Sequence, residues 1–116
     1  MTVEELLATL GINRTYFGYW CIKDIVETSL EDEEVMQSLS SFYQALGMKY
    51  KRSAYAIETN IRTAVNRAWR MSKEKVKKMA RYELTSVPSN GEFIDIVTGY
   101  LLRQQQKSSA NHSSLC

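Results

Sequence analysis

Apolar residues return along most of this chain three and four positions apart, the beat of amphipathic helices. Thr2 and Glu5 make a capping box. Leu6, Leu7 and Leu10 behind it supply the apolar face of a short first helix that Gly11 stops. The spacing of Tyr16, Tyr19, Trp20, Ile22, Ile25 and Val26 predicts a second helix from about Thr15 to Ser29. An acid-rich first turn, Glu31-Asp32-Glu33-Glu34, suits the positive end of a helix dipole. It opens a further helical stretch carrying Val35, Leu39, Phe42, Tyr43, Leu46 and Tyr50. Periodicity leaves open whether 31–50 is one helix or breaks near Ser40 and Ser41.

Lys51-Arg52-Ser53 reads as a short polar turn with Ser53 as an N-cap. Ile57, Ile61, Ala64, Val65 and Ala68 then form one narrow apolar stripe over 54–70, with Trp69 at its edge. Ser72 is positioned to cap another helix, with Val76, Met79 and Ala80 inward. After an irregular stretch at 84–88, Ser89 and Glu92 form a second capping box, and Phe93, Ile94, Val97, Tyr100 and Leu101 continue a last helix. These elements predict an all-α, compact bundle of about six helices over residues 1–103, followed by a polar, low-complexity tail, 104–116, expected to be disordered. Trp20, Phe42, Trp69 and Phe93 each lie on or beside an apolar stripe and are expected in the core.

The segment 42–70 has the layout of a helix-turn-helix: a short helix, a three-residue connection and a longer helix. Gly47, with Ala45 beside it, would let the two helices approach closely. Opposite the apolar stripe, Tyr55, Glu58, Thr59, Arg62, Thr63 and Asn66 share the outward face, and they are the candidate base readers. Arg, Asn and Thr hydrogen-bond base edges, and Glu accepts from cytosine N4. Lys49, Lys51, Arg52 and Ser53 before this helix, and Arg67, Arg70 and Lys73 towards its end, are the candidate phosphate contacts. The bland reading of the same face is a solvated helix surface on which Glu58 and Arg62 make an ordinary i, i+4 pair.

Charge sharpens this picture. The overall +2 conceals a split: residues 1–48 hold two basic and eight acidic side chains, residues 49–83 eleven basic and three acidic. The basic third, at +8, coincides with the segment just described and would attract a polyanion such as duplex DNA. One Pro and five Gly argue against a turn-rich β sandwich. Cys21 falls within an apolar-periodic stretch, while Cys116 and the single His112 lie in the tail, so no metal-ligand cluster and no disulfide framework is expected. No nucleophile–base pair or Gly-rich phosphate loop marks an enzyme, and no cofactor is implied. Without a membrane-length apolar run or a signal segment, a cytoplasmic location is expected.

The ordered points Leu10-Gly11-Ile12, Gly18-Tyr19, Tyr43 and Lys49-Tyr50 precede two more specific ones. These are the run Ile57-Glu58, Ile61-Arg62, Ala64-Val65, Ala68-Trp69, and the stretch Pro88-Ser89-Asn90-Gly91-Glu92-Phe93-Ile94. Over residues 3–103 the chain resembles the C-terminal effector domain family of stage-zero sporulation protein A, the sporulation response regulator. The resemblance implies a six-helix fold, transcription control by a major-groove recognition helix, and homodimers on tandem sites. Glu58 and Arg62 match polar positions of the family's recognition helix, whereas Thr59, Thr63 and Asn66 stand where arginine, histidine and glutamate are usual. Ser86-Val87 replaces a lysine usual shortly before Pro88. The family's receiver domain is not in this sequence, which is expected either of a stand-alone paralogue, as Met1 followed by a capped helix suggests, or of a piece excised from a receiver-containing protein. The competing expectation is a protein-interaction module of the same fold, pairing with a related regulator and without specific DNA recognition; Thr59 and Thr63 favour it.

Overall fold

The computed structural model describes residues 1–32 and 38–114, with side chains through Gln105. Five helices follow one another among these residues: α1 (Val3–Thr9), α2 (Phe17–Glu31), α3 (Leu39–Tyr50), α4 (Ala54–Met79) and α5 (Asn90–Ser114). The class is all-α, as the hydrophobic pattern predicts.

Local chemistry explains the boundaries. Both arms of the Thr2–Glu5 capping box form at 3.1 Å, and Gly11, at φ +91°, turns the chain out of α1. The second helix starts two residues later than predicted because the Asn13 side chain accepts the Thr15 amide at 2.9 Å, a local turn that competes with helix. Glu33 and Glu34 of the predicted acidic turn, and Val35 of the helical stretch after it, lie outside the described residues, and α3 begins at Leu39. Ser89 and Glu92 exchange their two capping bonds at 3.1 Å before α5.

Two expectations are corrected. Ser72 (φ −142°, ψ 38°) leaves the helical region inside α4, so Ala54–Met79 is two helical pieces meeting at a kink where the sequence places a cap; taken as one element, it leaves five helices among the described residues where about six are expected. Trp20 is not in the core. Its neighbours Tyr19, Cys21 and Ile22 fill the inward positions, while the Trp20 ring is 38% exposed. It stands edge-on to Tyr19 and its Nε1 donates to Arg14 O at 3.1 Å. An aromatic at a stripe's edge can satisfy both needs, apolar contact for the ring and a partner for the N–H. Phe93 is fully buried, while Phe42 and Trp69 pack half-buried against the core.

The amphipathic α4 is the central element, packed by α2, α3 and α5, while α1 lies against α2. Its stripe Ile57, Ile61, Ala64, Val65 and Ala68 is fully buried, and Val76 and Met79 continue it beyond the bend. At the far end, Arg103 of α5 donates to Met79 O at 2.7 Å, placing a cation on the carbonyl end of α4. The described backbone of α5 runs on to Ser114. No described helix is long and apolar enough to cross a membrane.

Candidate nucleic-acid interface

The connection between α3 and α4 is tight and specified by three residues. Lys51 adopts the left-handed conformation (φ 59°, ψ 47°) that ends α3, and Arg52 N then donates back to Gly47 O at 2.8 Å. A Cβ on Gly47 would overlap Arg52 O, so only glycine lets the chain fold back this closely. Ser53 caps α4 as predicted, its Oγ accepting from Ala56 N at 3.0 Å. The mutual angle of α3 and α4 is therefore set by the turn itself.

All six candidate base readers on α4 are exposed: Tyr55, Glu58, Thr59, Arg62, Thr63 and Asn66. Tyr55 is the most projecting aromatic of the chain, at 77% exposure. No ion pair joins Glu58 to Arg62 among the described residues, so the guanidinium fork of Arg62 is not engaged by that carboxylate. The two threonines differ. Thr59 Oγ1 donates to Tyr55 O at 2.8 Å and Thr63 Oγ1 to Thr59 O at 3.1 Å. Their hydroxyl protons are spent on the helix, so they offer an acceptor lone pair and a methyl group.

The seven candidate phosphate contacts fall into distinct situations. Lys51, Ser53 and Arg70 are exposed without a charged partner among the described residues. Arg52 and Lys73 are exposed but ring-stacked, with Arg52 Cζ 4.3 Å above Phe17 and Lys73 Nζ 5.2 Å from the Trp69 centroid. Lys49 is engaged: its Nζ lies 2.8 Å from Asp24 Oδ2 of α2, which also accepts from Tyr50 OH at 2.7 Å. The Asp24 hydrogen bond holds the Lys49 ammonium above its ordinary range. Arg67 is half-buried, with Nε donating to Gly11 O at 2.8 Å and Cζ 5.1 Å from the Tyr16 ring centroid. Arg67 thus serves as a half-buried tie and Lys49 as an exposed one, a distinction that residue type alone does not make.

The scaffold behind this face includes residues that sequence reasoning did not single out. Asn90 Nδ2 donates to Glu58 O at 3.1 Å and to Tyr43 OH at 3.3 Å, tying α5 and α3 to the back of α4. The signal was present in the Pro88–Ile94 stretch, but its target, a backbone carbonyl, leaves no mark in sequence. Gly18 crosses α4 so closely that a Cβ there would overlap Asn60 O. Cys21, beneath the Asp24 cluster, is a buried thiol as expected; burial pushes it up to about 12, with Asp24 adding to the effect.

An outward helix face with free Arg, Glu and Asn side chains, flanked by exposed cations and braced from behind by three helices, can meet a polyanion with hydrogen-bonding edges. Against that geometry, the family model described as "Sporulation initiation factor Spo0A C terminal" matches residues 3–101, from the first residue of α1 to the last buried leucine of α5. The match takes in α1 to α4, the first half of α5 and both stretches on which the resemblance rests, and the chain belongs to the family of C-terminal domains of the sporulation initiation factor Spo0A.

Proposed function

We propose that the chain is a sequence-specific, double-stranded DNA-binding transcription regulator in which α3, the 51–53 turn and the first four turns of α4 act as a helix-turn-helix. The observation that carries this reading is the α4 face: six side chains of base-reading type, all exposed, with no ion pair on Arg62 among the described residues although Glu58 lies one turn away. Family membership and the +8 charge of residues 49–83 support it. In this reading Arg62 takes a guanine, Glu58 a cytosine amine and Asn66 an adenine. Thr59 and Thr63 turn their methyls to thymine. Lys51, Arg52, Arg70 and Lys73 neutralise phosphates. The domain works in the cytoplasm as a binding module without catalysis or cofactor, and binds tandem sites as a homodimer.

Selection of bound duplexes from a random pool tests the proposal. A defined sequence should be enriched, and its affinity should fall with salt at about −0.9 per phosphate neutralised, near −4 for the four free cations. Saturation at two protein chains per duplex would support the tandem arrangement. No enrichment together with a flat salt dependence would overturn DNA binding. The second reading, an interaction module, draws on Thr59 and Thr63, whose donors are committed to the helix. It predicts salt-sensitive binding with no sequence enriched.

A further inference from the structure

Three consecutive residues at the entry of α2 pack against α4 or the turn that leads into it, and each does something different. Gly18 seats α2 against the α4 backbone, with its would-be Cβ overlapping Asn60 O and 2.9 Å from Ala64 Cβ. Tyr16 stacks on Arg67, which is bonded in turn to Gly11 O, so this side of the crossing is a closed, half-buried anchor. Phe17 reaches the other way. Its ring packs edge-on against Tyr50 at 5.2 Å and carries the Arg52 guanidinium on its face at 4.3 Å. Arg52 is the residue between the left-handed Lys51 and the α4 cap Ser53, at the point where the chain enters the candidate DNA-facing helix.

We propose that Phe17 is a positioning residue for DNA binding: it holds the exposed guanidinium of Arg52 at the α4 entrance before DNA arrives. The inference rests on the DNA reading above and adds a residue that no base or phosphate touches. The chemistry of the partner matters here. Lys49, next to the same turn and also exposed, is held by the Asp24 carboxylate, an opposite charge that offsets its own. Arg52 is held by a ring face, which restrains the side chain and leaves its full positive charge and its outer N–H donors for a phosphate. A long arginine side chain otherwise loses rotamer freedom when it binds, and a pre-set one loses less. The anchor of Tyr16, Arg67 and Gly18 keeps Phe17 in place, so the position of a phosphate-binding cation is decided by a helix remote in sequence.

A double-mutant cycle on the whole chain tests this, with fluorescence anisotropy on a duplex selected by the wild-type protein and on a scrambled duplex. Phe17→Leu should weaken binding to both duplexes alike by roughly two- to fivefold, the worth of an exposed cation–π contact. In an Arg52→Ala background the same change should cost nothing further, and Phe17→Tyr, which keeps the ring, should restore wild-type affinity. Thermal melting of each variant separates loss of fold from loss of position; should Phe17→Leu unfold, Phe17→Met, of similar volume, takes its place. Equal losses with and without Arg52, or no loss at all while the wild type binds, would overturn the proposal. A wild-type chain that binds neither duplex would instead bring down the DNA reading on which it rests.

Discussion

Replacing Gly18 with alanine tests the crossing on which the interface is built. The added Cβ would meet Asn60 O and lie 3.0 Å from Asn60 C, both backbone atoms in the middle of α4, and 2.9 Å from Ala64 Cβ, itself fully buried. None of these is the free end of a flexible side chain, so α2 and α4 must move apart along a packed seam. Overpacking of this kind costs about 1–3 kcal/mol, and a backbone obstacle places it near the top of that range. The exchange of glycine for alanine returns up to ~1 kcal/mol of helix propensity, less at the second residue of α2 than in a helix interior. The net expectation is a loss of about 2 kcal/mol, on the order of 10 °C in melting temperature for a domain of this size. Urea titration followed by helical circular dichroism measures it: the midpoint should fall with the slope unchanged. DNA affinity should fall as well, since Phe17 and Arg52 ride on the same crossing. A variant as stable as the parent, or more so, would refute the close approach of α2 and α4.

Three further outcomes follow from the geometry. Arg62→Ala should cost about 1–3 kcal/mol on a selected duplex and relax preference at one base pair, whereas Arg70→Ala should weaken selected and scrambled duplexes equally and flatten the salt slope by about one; equal losses for both variants on both duplexes would remove Arg62 as a base reader. Asn90→Ala leaves Glu58 O without its side-chain partner and should destabilise the fold by about 1–3 kcal/mol in urea titration, and a neutral result would deny the tie. In a Cys116→Ser background, Cys21 should resist alkylation in mildly alkaline buffer and react in step with unfolding, because the buried thiol keeps its proton up to about 12 while the unfolded chain releases it near the ordinary thiol value. Its contribution to stability is therefore complete below that ordinary value and is lost as pH rises towards about 12. Modification of the native protein at a free-thiol rate would contradict its burial.

What the sequence determined by itself is local or periodic. The stripe from Ile57 to Ala68 and the outward set from Tyr55 to Asn66 follow from a period of 3.6, which assigns every residue of a helix a face once the phase is known. The caps at Thr2, Ser53 and Ser89 involve partners three residues away, and all three form. The bend at Ser72 was legible as a place, since serine competes for backbone hydrogen bonds. The backbone there leaves the helical region as that competition requires; what sequence left undecided is the direction the chain takes beyond the kink, which depends on Val76 and Met79 finding buried surface. The tertiary structure alone decided which cations are available. Lys49 and Arg52 are near neighbours of the same charge, yet one meets Asp24 and the other Phe17, both on a helix far away in sequence. Arg67 shares the phase of an exposed position only in part and is drawn to Gly11 O by the loop after α1. Trp20 left the core because Tyr19 and Ile22 already filled the inward positions. Contacts across tens of residues follow from where helices cross, and that depends on side-chain volume at single points such as Gly18 and Gly47, which no periodicity encodes.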